Sequence, residues 1–176
     1  MILSSCKKQI SCKGVSKMET NEIKELNLEQ KVLVKNIAGW TIGFRRIETQ
    51  GDVNIPPEGS IRLTRSEIIA QVQSGNRLFT GIDSMGSHAT LYIDDKLTRV
   101  ECDFESEDGS TKQVILTSDV VKKMFDCKTI KTFETKLRES VVTRAEKYAL
   151  IQIIKKEKLN DHEKIRFVEN YTGYKI

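Results

Sequence analysis

The chain has 176 residues, of which 38% are hydrophobic and 31% charged, with only 2 prolines and 10 glycines. This length suffices for one domain with a hydrophobic core or for two small ones, and the composition is typical of a globular protein. No apolar run approaches the ~20 residues of a membrane-spanning helix, so we expect no membrane contact.

The net charge of +4 is unevenly distributed along the chain. Residues 1–17 contain four lysines and no acid, which accounts for the whole excess. Residues 67–109 contain nine acidic and three basic side chains, whereas residues 110–159 contain twelve basic and six acidic ones, so the two segments carry −6 and +6. This asymmetry suits contact between the two segments or between copies of the chain as well as it suits a phosphate backbone.

Residues 1–30 are predicted to form a basic tail and a polar linker. The run Leu3-Ser4-Ser5-Cys6 resembles a lipoprotein cleavage site, but only three residues precede the cysteine, too few for the apolar stretch of a signal peptide. We therefore expect a protein that is not secreted by a signal peptide. Met18, which an acidic segment follows, is an alternative start of the chain.

Residues 31–117 are predicted to form a β-rich domain. The run KVLVKNI is apolar and β-branched, and in the next segment Trp40, Ile42 and Phe44 alternate, which predicts a strand that buries all three. A Pro-Pro-Glu-Gly turn separates two further short strands. The run Thr64-Arg-Ser-Glu67 has the capping-box pattern and predicts one helix, which Gly75-Asn76 ends.

After this helix the pattern predicts strands again. Residues 78–80 read as a short strand, and residues 81–88 (GIDSMGSH) as a hairpin loop. Apolar and polar residues alternate from 89 to 93 and from 97 to 104, as in a half-buried antiparallel sheet, and QVILT (113–117) reads as a last strand. The fold class expected is α+β, with a compact antiparallel β-barrel or sandwich-like domain that contains one inserted helix.

Residues 118–176 are predicted to form a helical C-terminal region. A short helix follows Ser118, and a second covers about 129–142. The run Thr143-Arg-Ala-Glu146 is another capping box and opens a helix that continues to about Lys158. The run Asn160-Asp-His-Glu163 begins the last helix, which Gly173 ends.

The loop 81–88 is the most site-like run in the chain. Its glycines have the spacing of a Walker loop, but Ser87 and His88 stand where that motif requires Lys and Ser or Thr, and a strand rather than a helix is expected to follow. Neighbours in a strand point to opposite faces, so Ser87 and His88 would not form a nucleophile and base. We therefore expect a turn, with no catalytic residue, and a protein that is not an enzyme.

Metal and cofactor sites are not expected either. The two histidines, His88 and His162, lie in different segments, and the acids between 94 and 108 lack the glycine and terminal glutamate of a calcium loop. The four cysteines show no CxxC spacing, which favours reduced thiols over a disulfide framework; they are Cys6, Cys12, Cys102 and Cys127.

The remaining candidates are contact residues. Exposed side chains of the predicted strands and loops form a candidate interface, which comprises Arg45, Arg46, Asp83, His88 and Tyr92. Lysines of the helical region form candidate basic contacts, which comprise Lys122, Lys123, Lys155 and Lys156. Aromatic and basic residues on a small barrel would suit single-stranded nucleic acid. However, lysines interleaved with acids are more typical of a solvated surface.

Residues 34–95 resemble small proteins encoded by tailed bacteriophages and prophages. The similar features are a V-x-N first strand, a GDV-x-IPP turn, an LTRSEI helix start and a G-x-D-x-x-GSHA hairpin, with LND before KI and YTG near the C-terminus. The resemblance covers most of residues 31–173 and leaves out the tail. It implies a virion-associated or phage accessory role, in the virion or the host cytoplasm, and it assigns no catalytic residue to this sequence.

We therefore expect a non-enzymatic structural or assembly protein, associated with a capsid or tail. Its partners would be other virion proteins or further copies of itself in a homo-oligomer. The alternative is a nucleic-acid-binding accessory or regulatory protein.

Overall fold

The computed structural model describes residues 26–111, 113 and 115–176, so the predicted basic tail 1–17 lies outside the described residues. The α+β class is confirmed. None of the helices in the described ranges is long and apolar enough to cross a membrane. In chain order the elements are β1 (Lys31–Asn36), β2 (Ile42–Arg45), β3 (Asp52–Ile55), β4 (Ser60–Thr64), α1 (Arg65–Gln73), α2 (Arg77–Thr80), β5 (Leu91–Ile93), α3 (Lys96–Glu101), α4 (Ser118–Phe125), α5 (Ile130–Ser140), α6 (Arg144–Glu157) and α7 (His162–Thr172).

The strands form two small antiparallel sheets. Strand β1 is the centre of a three-stranded sheet of order β4-β1-β5, in which Val34 lies opposite Ile61 on one side and Ile93 on the other. Strands β2 and β3 form a separate two-stranded sheet, with Phe44 opposite Val53. Within the described part of the chain these sheets do not close into a barrel, so the expected barrel is not confirmed.

Two segments that were predicted as strands are helical. Residues 78–80 lie in α2, and most of the alternating run 97–104 lies in α3. The cause is capping, because the side chain of Asn76 accepts a hydrogen bond from the Leu78 N–H and that of Asp95 accepts one from the Thr98 N–H. The β-rich segment thus contains three helices instead of one, and the described residues of the run 113–117 are not in a strand.

The predicted burial of Trp40 is also wrong. Strand β2 begins only at Ile42, which is buried, while Trp40 precedes the strand and is 36% exposed. Its ring instead lies under the guanidinium group of Arg144, 5.2 Å from the ring centre. Phe44 is partly buried and meets Phe79 edge to face, with 5.3 Å between the ring centres.

The hydrophobic side chains form two clusters. The first contains residues of all five strands together with Ile68, Phe79 and Phe104. The second is built from helices α4 to α7, around the fully buried Phe133, Leu137 and Leu150. Ala145, near the start of α6, packs in the first cluster, so that α6 contributes to both.

The two predicted capping boxes differ. Thr143 and Glu146 form a complete box at the start of α6. At α1, Thr64 caps the Glu67 N–H, but the Glu67 carboxylate accepts hydrogen bonds from the N–H groups of Ile47 and Glu48, each at 2.9 Å. Burial alone would raise the pKa of Glu67, but the bonds from Gln71 and from the 47–49 backbone outweigh it and lower the pKa.

Arg65 is a buried charge that ties several segments together, since its side chain is 1% exposed. Its guanidinium donates to Thr98 Oγ1 at 2.9 Å and to Asp95 Oδ2 at 3.0 Å, both in or beside α3. It also reaches the Asn27 carbonyl oxygen at 2.6 Å and Gln30 Oε1 at 3.0 Å, ahead of β1. Such a charge is tolerated in a protein interior only when its donors are satisfied.

The pH dependence of folding tests this network. Burial alone would raise the pKa of Asp95, but hydrogen bonds from Thr98 and Arg65 outweigh it and hold the pKa below its ordinary 3.8. The carboxylate therefore stabilises the fold fully above that value, and the contribution is lost as the pH falls through the lowered pKa. We expect Asp95→Asn to lower the free energy of unfolding at pH 7 by about 1–3 kcal/mol and to flatten its dependence on acid pH.

Urea denaturation at pH 7 and at acid pH measures both effects. The matched control is Asp126→Asn, at an exposed aspartate, which should unfold as the wild type does. An Asp95→Asn protein with unchanged stability at pH 7 would contradict the role given to this network.

Candidate protein-contact surface

The run 81–88 forms a closed turn between α2 and the segment that leads to β5. Gly81 has a positive φ of 70°, and a Cβ at this position would overlap the carbonyl oxygen of Ser87, so only glycine fits. Asp83 Oδ1 accepts hydrogen bonds from the N–H groups of Met85 at 2.9 Å and Ser87 at 3.1 Å. A phosphate cradle would present such amides to its ligand, whereas here the Asp83 carboxylate occupies them.

Two apolar side chains project from this turn into solvent. Ile82 is 54% exposed and Met85 is 52% exposed. A cavity of about 160 Å³ opens beside Ile82, and it is also lined by His88 of the turn and by Thr143, the N-cap residue of α6. We call Ile82, Met85 and the rim of this cavity the 82–85 loop surface.

His88 ends the turn and holds it against the helical region. Its Nδ1 lies 2.6 Å from Glu146 Oε1, and the two side chains are 17% and 2% exposed. His88 also has a positive φ of 60°, a conformation that few non-glycine residues adopt. The expectation that the His88 side chain is exposed is therefore wrong, because its imidazole turns inward to a buried carboxylate.

Glu146 is satisfied on both of its oxygens. While Oε1 meets His88, Oε2 accepts from the N–H groups of Val142 and Thr143, each at 2.9 Å, and from the Thr143 hydroxyl at 3.0 Å. The carboxylate therefore closes the capping box of α6 and anchors the 81–88 turn at the same time. The capping box was predicted, but the contact with His88, 58 residues away, has no signal in the sequence.

The other interface candidates lie in two further places. Arg45 is the last residue of β2, and Arg46 follows it. The Arg45 carbonyl accepts a hydrogen bond from the Gln71 side chain, and the Arg46 guanidinium donates one to the Thr49 hydroxyl. Tyr92 lies on β5, and its ring is flanked by the Arg99 guanidinium at 5.4 Å and the Lys35 ammonium at 5.9 Å. Of the five candidates, the structure brings together Asp83 and His88, in the 81–88 turn.

The four candidate lysines are exposed residues of α4 and α6, and they do not act alike. Lys122 pairs with Glu157 at 2.5 Å, a hydrogen bond that raises its pKa and neutralises its charge locally. Lys123 borders a cavity of about 180 Å³ together with Lys136. Lys156 borders a separate groove, which is also lined by Ala149 and Ile153 of α6, and Lys155 is exposed on the same helix.

Possible metal ligands and thiols are the remaining candidates for chemistry in the described ranges. Among the residues that the structure describes, no three His, Cys, Asp or Glu side chains come together as a metal site. Cys102 and Cys127 are free thiols. Burial raises the pKa of the Cys102 thiol to about 12, so this thiol stays protonated and unreactive at neutral pH.

No protein-family model matches this chain, and comparisons with curated proteins and with solved structures also found no match.

The His88–Glu146 contact predicts an effect on stability. We expect His88→Ala to lower the free energy of unfolding by about 1–3 kcal/mol, because it leaves one oxygen of a buried carboxylate without a partner. The control is His162→Ala, at an exposed histidine on the first turn of α7, which should change stability little. Urea denaturation at pH 7 measures both variants, and equal stabilities would show that the imidazole does not hold the two regions together.

Proposed function

We propose that this chain is a non-enzymatic, phage-type structural or assembly protein that contacts other virion proteins through the 82–85 loop surface. The observation that carries the contact role is a pair of half-exposed apolar side chains, Ile82 and Met85, on a turn that is pinned from both sides. The phage assignment rests on the sequence resemblance over residues 34–95.

The pinning of the turn supports a role in binding. Asp83 closes it internally, the Gly86 N–H donates to the Thr80 carbonyl, and the Gly86 carbonyl accepts from Gln113. A surface that is already ordered loses little conformational entropy when a partner docks on it. Methionine is also enriched at the cores of protein interfaces, where a polar rim surrounds them.

The contacts of His88 and Glu146 favour this interpretation over catalysis. The Glu146 carboxylate accepts from three donors besides His88, as a structural group does. Of the side chains that line the adjoining cavity, Thr90 and Thr143 carry hydroxyl groups, and the Thr143 hydroxyl already donates to Glu146. An activated nucleophile needs a base that is free to take its proton.

The second candidate function is binding of nucleic acid, which the pair of exposed lysines on either side of one cavity favours. Lys123 and Lys136 border this cavity with Val120, Met124 and Ser140. Two ammonium groups beside one concave surface could hold a phosphate. Lys122, on the same helix as Lys123, is already engaged by Glu157, which reduces the basic character of that face.

Site-specific cross-linking tests the contact role. We expect a photo-reactive amino acid at Ile82 to form cross-links to another virion protein in the cells that naturally produce this chain. The matched control is the same label at Ile47, an isoleucine that is 49% exposed on the β2–β3 hairpin. Mass spectrometry identifies the products, and identical patterns at the two positions would exclude a contact surface at residue 82.

Salt titration tests the second candidate. A nucleic-acid-binding protein releases one counterion for each phosphate that it neutralises, so its affinity falls steeply with salt. We expect the chain to bind random-sequence DNA and RNA only at the nonspecific level, with a Kd weaker than about 1 μM at physiological salt. Fluorescence anisotropy measures this. Tight, salt-sensitive binding that Lys123→Glu with Lys136→Glu abolishes would favour nucleic acid instead.

A further inference from the structure

A groove of about 290 Å³ lies between the β-rich segment and helix α6. The apolar part of its lining, which we call the floor, comprises Ile37 just after β1, Leu116 just before α4, and Ala149 and Ile153 of α6. This volume is at the lower end of the range of roughly 300–1,000 Å³ that is typical of ligand pockets. The groove shares no lining residue with the cavity of the 82–85 loop surface.

The groove also presents one charge of each sign. Glu58 and Lys156 both line it, and neither forms an ion pair with another residue that the structure describes. Lys156 follows Ile153 by one helical turn, so the two side chains lie on the same face of α6. An occupant of matching chemistry would place an apolar side chain on the floor of the groove, an acidic side chain beside Lys156 and a basic side chain near Glu58.

Helix α3 of this same chain presents that pattern to solvent. Leu97 is 56% exposed, more than any other large hydrophobic side chain among the described residues. Glu101 lies one turn further along the same face and is exposed, and Lys96 precedes the leucine and is exposed as well. The apolar and charged side chains have similar spacings on the two helices. Leu97 and Glu101 are separated by about 6 Å along the axis of α3, and Ile153 and Lys156 by about 4.5 Å along the axis of α6.

We propose that the groove binds helix α3 of a second copy of this chain. Leu97 of one copy lies on the floor beside Ala149 and Ile153 of the next, and Glu101 pairs with Lys156. Lys96 lies near Glu58 in the same arrangement. The segment 67–109, which carries −6 and contains α3, thereby meets the segment 110–159, which carries +6 and contains α6.

This contact is heterologous, because the donating helix and the receiving groove are different surfaces of one molecule. Repetition of a heterologous contact gives a ring when the rotation closes and an open chain when it does not. A single leucine with two ion pairs forms a small interface, so association depends on protein concentration and weakens in salt.

Two complementary variants test the proposal in the full-length protein. Leu97→Asp removes the anchoring side chain and keeps the groove, whereas Ala149→Trp fills the groove and keeps the anchor. By sedimentation velocity, we expect the wild type to form oligomers, each variant alone to be a monomer, and an equal mixture to form a one-to-one dimer. In that dimer, Leu97 of the Ala149→Trp chain occupies the groove of the Leu97→Asp chain.

A charge exchange provides a second test that does not disturb the core, since Glu101 and Lys156 are exposed. Glu101→Lys alone and Lys156→Glu alone should each weaken association at least about tenfold, which corresponds to about 1.4 kcal/mol. The double variant should recover much of the loss, because it restores the pair in reversed order. Circular dichroism confirms that each variant is folded.

Three results would overturn the proposal: a monomeric wild type at the highest concentration reached, variants that associate like the wild type, or a mixture that does not form the dimer. None of them affects the proposed contact of the 82–85 loop surface with another protein, because these substitutions lie outside it. In turn, a failure to detect cross-links at Ile82 would count against the 82–85 loop surface and not against the proposed contact between copies.

Discussion

The buried carboxylate of Glu146 is the interaction on which the arrangement of this protein depends. A carboxylate that is 2% exposed is tolerated only when hydrogen bonds replace the water it has lost. Four donors or partners do so here: two backbone amides and a hydroxyl from the start of α6, and an imidazole from the β-rich segment. The same group therefore starts a helix and sets the position of the 81–88 turn against that helix.

The carboxylate of Glu67 is also buried, and it accepts its hydrogen bonds from a different set of donors. It stands in the same position of the same sequence pattern, three residues after a capping threonine, and it is also buried. Its oxygens accept from the backbone of the β2–β3 hairpin and from Gln71. Both glutamates thus connect a helix start to a distant loop. These contacts help to hold the two small sheets, which do not close into a barrel within the described residues, against the helices.

Contacts of buried or part-buried polar groups also underlie both proposed contact surfaces. A turn that is pinned by Asp83 and His88 can hold Ile82 and Met85 in solvent without collapsing onto the core. Helix α3, which presents Leu97, is likewise held from beneath by the bonds that Arg65 makes with Asp95 and Thr98. In each case buried polar groups keep an exposed apolar side chain in a defined place, which a contact surface requires.

The sequence by itself determined the elements whose signals are local. The helices of residues 118–176 and the start of α1 follow from capping residues and apolar periodicity, and the strands β1 and β4 follow from β-branched runs, so these parts of the α+β fold could be predicted. The composition also showed the separation of acidic and basic segments. These signals are readable because capping and periodicity act between residues a few positions apart.

Only the tertiary structure decided which residues lie inside. The run 97–104 alternates like a strand, yet Asp95 caps a helix there, because a pattern of six to eight residues cannot separate a strand from a short helix. Trp40 was expected in the core but lies beside Arg144, since β2 begins two residues later. His88 turns inward to contact Glu146, which lies 58 residues further along the chain, so that no local pattern could predict its orientation. Hydrogen bonds over such distances satisfy buried charges, and no local pattern of residues records them.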